Sequence, residues 1–452
     1  MAVLLLVCAA GCSSLKTQKK QFEEVDKSVA GYDYCGAAMR LEGAKNKYYV
    51  EKDRVLYYLD VGMLYYYCKS PAKSDEALTN AENGIDELYT KSISKGIESL
   101  LLNDNALAYS GEDYENVYLN IFKSLNYLEL KKFDDAFVEL RRADFKLSQL
   151  QDKYRKIADT YNKSDDAKKK FSVSENRFTN SALARYISLL MYRSEGNLDD
   201  ARIDAGQIDQ AWSDEAAVYN FPEPDTKSWL TGAGKAKLDI ISFVGKSPEL
   251  FARVLTIHTF KDAVAIYRSD GKNEEKLDVI PWDGMTDGYH FKFSLPYMER
   301  KGSSVGRVVV ELNGSESMTL QMIESLENAA EETYKLHEGI TYMKTIIRTV
   351  VKGVANEKAN VELDKKTGGG VWGSLTRAAS SAIVDISENA DLRLSRYFPA
   401  RALVGETEVD PGSYHVVVRY YAGDGTLLYS DDKGIVSVGL DSLNLSGSFY
   451  LN

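Results

Sequence analysis

The amino-acid sequence predicts an α+β multidomain chain, an N-terminal α-helical array followed by a β-sandwich-like module that two helices interrupt. Three observations carry this. From Ser28 to Trp212 the apolar residues recur at the roughly 3.6-residue helical period, with short breaks. Phe221-Pro222-Glu223-Pro224 then stops helix formation, because proline lacks the amide donor that a helix interior requires. Beyond it, short segments alternate apolar and polar residues between Gly or Pro turns. At 452 residues, 44% hydrophobic and 27% charged, the chain carries apolar material for about two or three cores.

The N-terminus comes first. In MAVLLLVCAAGCSS a short apolar run ends in small residues before a cysteine, the layout of a secretory segment and cleavage site, too short for a membrane span. It resembles a bacterial lipoprotein signal peptide with Ala9-Ala10-Gly11-Cys12 as the lipobox. That resemblance implies cleavage before Cys12 and lipidation of its thiol and new amino group. Residues 1–11 then read as the signal peptide and 12–27 as a lipidated tether. With Cys8 removed and Cys12 acylated, Cys35 and Cys68 remain, either as a disulfide suited to an oxidising compartment or as two buried thiols.

Residues 28–220 form the helical domain. Its clearest unit is Tyr114 to Leu150, with Ser124 and Tyr127 on a first helix and Phe133, Ala136, Leu140 and Ala143 on a second. Small residues let two helices approach closely, and aromatics fill the space beside them. This looks like a tetratricopeptide repeat (TPR), so the segment is expected to be a TPR-like array. Gly196 to Ala201 falls in register with Lys131 to Ala136, and Gly62, Tyr65 and Ala77 mark a third copy. Ala136 and Ala201 are expected at helix crossings. Asp152 to Lys170, with charges of alternating sign, reads as a solvated helical extension. The polar break from Asn103 to Asp113 reads as a connector, with Glu112 or Asp113 capping the next helix and the connector itself a potential ligand patch.

Residues 236–318 read as the β-rich domain, with strands at 237–244, 254–260, 263–268, 276–280, 290–295 and 307–312. Residues 319–389 hold a long amphipathic helix from about Leu320 to Val354, then a second over Leu375 to Ile386. Residues 390–452 return to strands, with turns at Pro411-Gly412 and Gly423-Asp424-Gly425.

Three stretches carry a wider resemblance: Asp53 to Leu59 with Gly62, Leu100 to Asn105 with Tyr109 to Tyr114, and Ala390 to Arg393 with the Pro411 to Tyr414 turn. With them the chain resembles a family of poorly characterised bacterial outer-membrane lipoproteins with an N-terminal TPR-like domain. The resemblance implies an envelope lipoprotein and supplies no catalytic residues.

Charge and motifs narrow the chemistry. A net charge of −11 opposes nucleic acid, whose phosphates need a basic face. Gly245-Lys246-Ser247 lacks a glycine five residues earlier, where Ile240 stands, so it is no phosphate loop. Gly232-Ala233-Gly234 lacks the third glycine of a dinucleotide site. His258, His290, His337 and His415 fall in four separate predicted elements, which suggests no metal site. No cofactor is expected. The 30 tyrosines are the unusual feature, and exposed ones offer rigid contact area. The expected function is a lipid-anchored scaffold or adaptor that binds other envelope proteins, facing the periplasm or the cell surface, through Tyr58, Tyr65, Asn120, Tyr127 and Arg185 on the inner helices. The alternatives are an envelope hydrolase acting on glycan or peptidoglycan, and a subunit of a surface appendage or secretion assembly.

Overall fold

Three of the described helices start where a short polar side chain or a carboxylate meets free backbone donors. Asp33 accepts from the Gly36 amide at 2.8 Å, Ser181 from the Ala184 amide at 3.2 Å, and Glu115 reaches back to the Glu112 amide at 2.8 Å. The computed structural model describes residues 22–95, 104–163, 169–170, 172–230, 235–269, 273–367, 384–385, 389–440 and 442–452. Among them the chain is mixed α/β, with ten helices and three sheets. No described helix is long and apolar enough to cross a membrane.

The first nine helices are α1 (Glu23–Ala30), α2 (Tyr34–Gly43), α3 (Lys45–Tyr48), α4 (Arg54–Tyr67), α5 (Pro71–Lys95), α6 (Asp113–Glu129), α7 (Phe133–Asn162), α8 (Ala182–Ser194) and α9 (Leu198–Asp214). Four of their connections are built alike. Tyr32, Lys69, Lys131 and Gly196 each adopt a left-handed backbone, with φ of 63°, 54°, 58° and 77°. In each, the following amide bonds back five residues: Asp33 to Ser28, Ser70 to Tyr65, Lys132 to Tyr127 and Asn197 to Tyr192, at 2.8 to 3.0 Å. This turn satisfies carbonyls that the ending helix leaves open and reverses the chain at once. The result is the hairpins α1–α2, α4–α5, α6–α7 and α8–α9. Ala136 and Ala201 occupy equivalent buried places in two of them. At Gly62 and Gly84 α4 and α5 approach closely, since a Cβ would meet the Leu78 side chain at 2.8 Å and the Val55 side chain at 2.7 Å. Cys35 and Cys68 are joined in a disulfide that ties α2 to the end of α4, with Cα atoms 4.7 Å apart.

The strands are β1 (Ala236–Val244), β2 (Glu249–Phe260), β3 (Ala263–Ser269), β4 (Glu274–Pro281), β5 (His290–Glu299), β6 (Val305–Leu312), β7 (Ser315–Thr319), β8 (Gln321–Ser325), β9 (Val384–Asp385), β10 (Arg401–Val409), β11 (Gly412–Ala422), β12 (Leu427–Val438) and β13 (Leu445–Tyr450). They order as β13-β1-β10-β8, β12-β11-β6-β7 and β4-β3-β2-β5-β9. The first sheet is buried on both faces, and every residue of β1 is buried. Ile241, Phe243, Val404 and Phe449 pack on the helices, whereas Leu238 and Ile240 pack against Val308, Val310, Val416 and Val418 of the second sheet. The third sheet packs Ile257, Val264, Ile266 and Phe291 on Met343, Ile346 and Val350 of α10 (Leu326–Thr367).

Several expectations change. The sandwich is only the first two sheets, because the third is covered by a helix. Residues 23–27, expected in the tether, belong to α1, where Val25 and Val29 are buried. The long helix starts at Leu326 instead of Leu320, because Gln321–Ser325 extends the first sheet along β10. Glu324 explains this: its buried carboxylate accepts from Tyr118, Ser181, the Leu183 amide and Tyr219, which fixes that strand against the helices. The second helix over 375–386 lies outside the described residues except at Val384–Asp385, which pair with β5 as a short parallel strand. The signal peptide and Cys12 also lie outside the described residues.

Candidate functional site

Two helices from different halves of the chain face each other across a cleft of about 1110 Å³. On α7, Arg142, Lys146, Gln149, Lys153 and Lys156 line it. Their spacing places them on one helical stripe. On α10, His337, Thr341, Lys344 and Arg348 form a second stripe. Glu82, Asp86 and Tyr89 of α5 add a wall, and residues 107–113 and 389–391 with Arg393 complete the lining.

Beside the cleft, residues 105–109 and 389–395 are tied to each other and to Asp53. Arg393 donates to both oxygens of Asp391 at 2.9 and 2.6 Å, to Asp53 at 2.9 Å and to the Leu107 carbonyl at 3.1 Å. Asn105 donates to the carbonyls of Asn389 and Ala390 at 2.7 and 3.0 Å. Beneath them the buried Glu115 carboxyl accepts from the Tyr109 hydroxyl, the Glu112 amide and the Ser395 amide. Burial pushes Glu115 up to about 8, although these donors pull the other way. Asp60, pushed up to about 6 by burial, accepts from Tyr49, Ser395 and the Arg396 amide. Within the connector, Leu107 to Asp113 therefore also form the cleft wall. Glu112 stands at the N-cap of α6, while Asp113 is the first residue of that helix.

The carboxylates on the wall are engaged with cations. Glu82 binds Lys123 at 2.8 Å and Lys146 at 2.9 Å, which outweigh its burial and hold it down at about 2. Asp113 binds Lys153 at 2.6 Å and Tyr154; its burial is outweighed by Lys153 and His337, so its carboxyl sits below the ordinary range. Glu112 meets His337 at 2.8 Å. Burial disfavours the imidazolium, yet the Glu112 carboxylate prevails and raises its pKa. Asp391 belongs to Arg393, and Asp86 lies within the electrostatic reach of Lys146.

The residues expected to bind a partner lie elsewhere and do not gather on one face. Asn120 is fully buried, donating to Glu82 and Glu139 inside the α5–α6–α7 packing. It is therefore no exposed contact, because a buried amide must spend its donors on buried acceptors. Tyr65 is buried and donates to Glu42 of α2 at 2.6 Å. Half-buried Tyr127 donates to Asp75 of α5 at 3.1 Å, and Arg185 pairs with Asp144 of α7 at 2.7 Å. These three bonds each join neighbouring hairpins. Tyr58 is half-buried, with the Lys45 ammonium 5.0 Å from its ring.

Sequence reasoning missed the two basic stripes. The signal was present as basic residues at helical spacing on α7, but Asp152 to Lys170 reads as a solvated face when each helix is taken alone. His258 and His290 lie on separate strands, β2 and β5, which pair side by side and bring the rings 4.5 Å apart. Among the described residues no three His, Cys, Asp or Glu side chains stand together in a way that would hold a metal. No family model matches the chain, and no curated protein or solved structure matches it either.

Proposed function

We propose that this chain is a cell-envelope scaffold or adaptor, anchored in the bacterial outer membrane by lipid on Cys12, whose TPR-like helical array binds a protein partner. The observation that carries the reading is the fourfold use of one left-handed turn, which stacks hairpins whose side chains bond from each hairpin to the next. Stacked hairpins of this kind make a stiff, extended support for recognition. The large cleft beside α5 and α7 gives that support a concave surface, and the lipobox resemblance supplies the anchor.

Two experiments test it. Cys12→Ser should move the folded chain from the membrane to the soluble fraction. A photo-crosslinking residue at Phe145, which is 65% exposed on the α7 side of the cleft, should capture a discrete envelope protein in native membranes. A wild-type chain recovered with Met1 still attached refutes the anchor. Absence of any captured species at Phe145 and at two other cleft positions refutes the scaffold.

A further inference from the structure

We infer that β13 is an open sheet edge that takes an extended peptide strand of a partner protein in antiparallel pairing, with alternate side chains of that strand entering a cavity between β13 and the helices. The site stands apart from the α7–α10 cleft and does not rest on the scaffold reading. The ladder shows which groups are open. The Asp239 amide donates to the Asn444 carbonyl and the Gly245 amide to the Tyr450 carbonyl, both at 2.9 Å. Residues 444, 446, 448 and 450 therefore turn their backbone groups toward β1, and 445, 447 and 449 turn theirs away. Among the described residues no strand pairs on that outer side, and the amides and carbonyls of Leu445 and Gly447 have no backbone partner there. The Lys433 ammonium stands 5.5 Å from the Phe449 ring at the far end, whereas Leu445, Ser446 and Gly447 are only half-buried. Sheets ordinarily protect an edge with charge, proline or a bulge. The other outer strands, β4, β7, β8, β9 and β12, each carry at least one Asp, Glu or Lys. β13, with the sequence LSGSFY, has no charged residue and no proline, and its register with β1 runs unbroken.

A cavity of about 490 Å³ lies on the helix-facing side of the same two residues. Tyr66 of α4, Leu125 and Leu128 of α6, Ile241, Leu443 and Leu445 line it. Tyr66 is 8% exposed, and its hydroxyl has no hydrogen-bond partner among the described residues. That hydroxyl lies 3.8 Å from the point a Gly447 Cβ would occupy, so it is aimed at the space beside the open edge. A buried tyrosine hydroxyl ordinarily finds a partner. In an antiparallel pair, residues opposite Leu445 and Gly447 would exchange both backbone bonds with them and set their side chains on the same face, which is the cavity. Opposite Gly447 an incoming side chain meets no other, and a tyrosine there offers its ring to the leucines and its oxygen to Tyr66. Exposed Glu129 and Glu195 stand at the mouth against Lys131, which favours basic residues flanking the apolar ones. A compact apolar molecule would fill the cavity and leave the edge groups unpaired. A strand satisfies both, the main chain supplying affinity and the cavity supplying specificity.

The test uses detergent-solubilised full-length chain and a fluorescein-labelled peptide with the sequence KVTYTVTK, made as two N-methylated isomers. One is methylated on the amides of its tyrosine and both valines, which would face β13. The other is methylated on the amides of its threonines, which would face away. The threonine isomer is expected to bind at least about tenfold more tightly. Gly447→Val places a branched side chain in the cavity, where a Cβ makes only ordinary contact, and should weaken that isomer by about tenfold or more. Exchanging its tyrosine for phenylalanine should weaken it by about two- to tenfold, and Tyr66→Phe should erase that difference. The two isomers are compared on the unaltered chain, which keeps the test decisive if Gly447→Val folds poorly. Equal or reversed affinities of the isomers, binding indifferent to a folded Gly447→Val, or a tyrosine preference that survives Tyr66→Phe overturns the inference. Sedimentation showing two copies of the chain that Gly447→Val separates would assign the edge to self-pairing, and overturns it as well.

Discussion

Replacing Arg393 with methionine keeps most of the side-chain volume and removes the charge that joins three distant stretches of the chain. The Arg393 side chain is 9% exposed, while its partners Asp391 and Asp53 keep 20% and 16% exposure. Removing one member of a buried ion pair costs about 3–5 kcal/mol, mostly through the charge left behind. Both aspartates retain some contact with water, so Arg393→Met should sit near the low end, at about 3 kcal/mol. The damage should also be local. Asn389 to Ser395 is held against the helices by Arg393, Asn105 and Glu115, so amide exchange across 389–395 should accelerate more than in the first sheet. Urea unfolding of Arg393→Met, Asp391→Asn and the double variant supplies the measurement. The two substitutions should be strongly non-additive, with a coupling of about 1–3 kcal/mol. A loss below about 1 kcal/mol, or strict additivity, would refute the view that this arginine clasps the cleft lining.

Other outcomes follow from the same structure. Gly62→Ala pushes a methyl into Leu78 and should cost about 1–3 kcal/mol; an unchanged melting temperature would contradict the close helix approach. Replacing Cys35 and Cys68 by serine opens a loop of 33 residues' separation and should lower stability by about 3–4 kcal/mol, which reductant added to the wild type should reproduce in thermal melts. Stability should fall as pH rises from about 5 to 8. Glu115 and Asp60 keep their protons in the fold up to about 8 and about 6, whereas in the unfolded chain they lose them near the ordinary carboxylate range of about 4. His337, raised by Glu112, acts in the same direction: its contribution is complete below about 6.5 and lost as pH passes its folded value. Glu82 and Asp113 have the opposite sign and lose their contribution only below the ordinary carboxylate range. Glu115→Gln should flatten the pH 5 to 8 slope, and thermal midpoints that rise with pH in the wild type would refute the assignment.

Local signals in the sequence reached the helices and most strands, because period and turn chemistry are written in neighbouring residues. The register of Gly196 with Lys131 is one case, since both positions form the same left-handed turn. Where the reading failed, distant partners decide. Gln321–Ser325 has no strand neighbour of its own, and becomes one because β10 and the donors around Glu324 hold it. Asn120 looks like a recognition residue on a helix drawn alone; Glu82, 38 residues earlier, turns it inward. The cleft was hidden for a related reason. Neither basic stripe means much alone, and what brings them together is that α10, starting at Leu326, returns beside α7, which ends at Asn162.

The parallel pairing of β13 with β1 carries a kinetic consequence. Phe449 of that strand meets Tyr66 and Tyr67 of α4, Leu451 is buried, and the Tyr67 hydroxyl donates to the Tyr397 carbonyl 330 residues away. The surface the helices offer to the first sheet is thus completed by a strand that is remote in sequence from the helices it covers. Until β13 docks, Tyr66 and Tyr67 each lack the Phe449 ring, while Phe122 and Phe243 still pack on Tyr66. Contacts of such long sequence separation must close large loops before they contribute, which makes for slow, late, all-at-once assembly. A chain built this way gains the edge of its first sheet and the outer packing of α4 in one docking event.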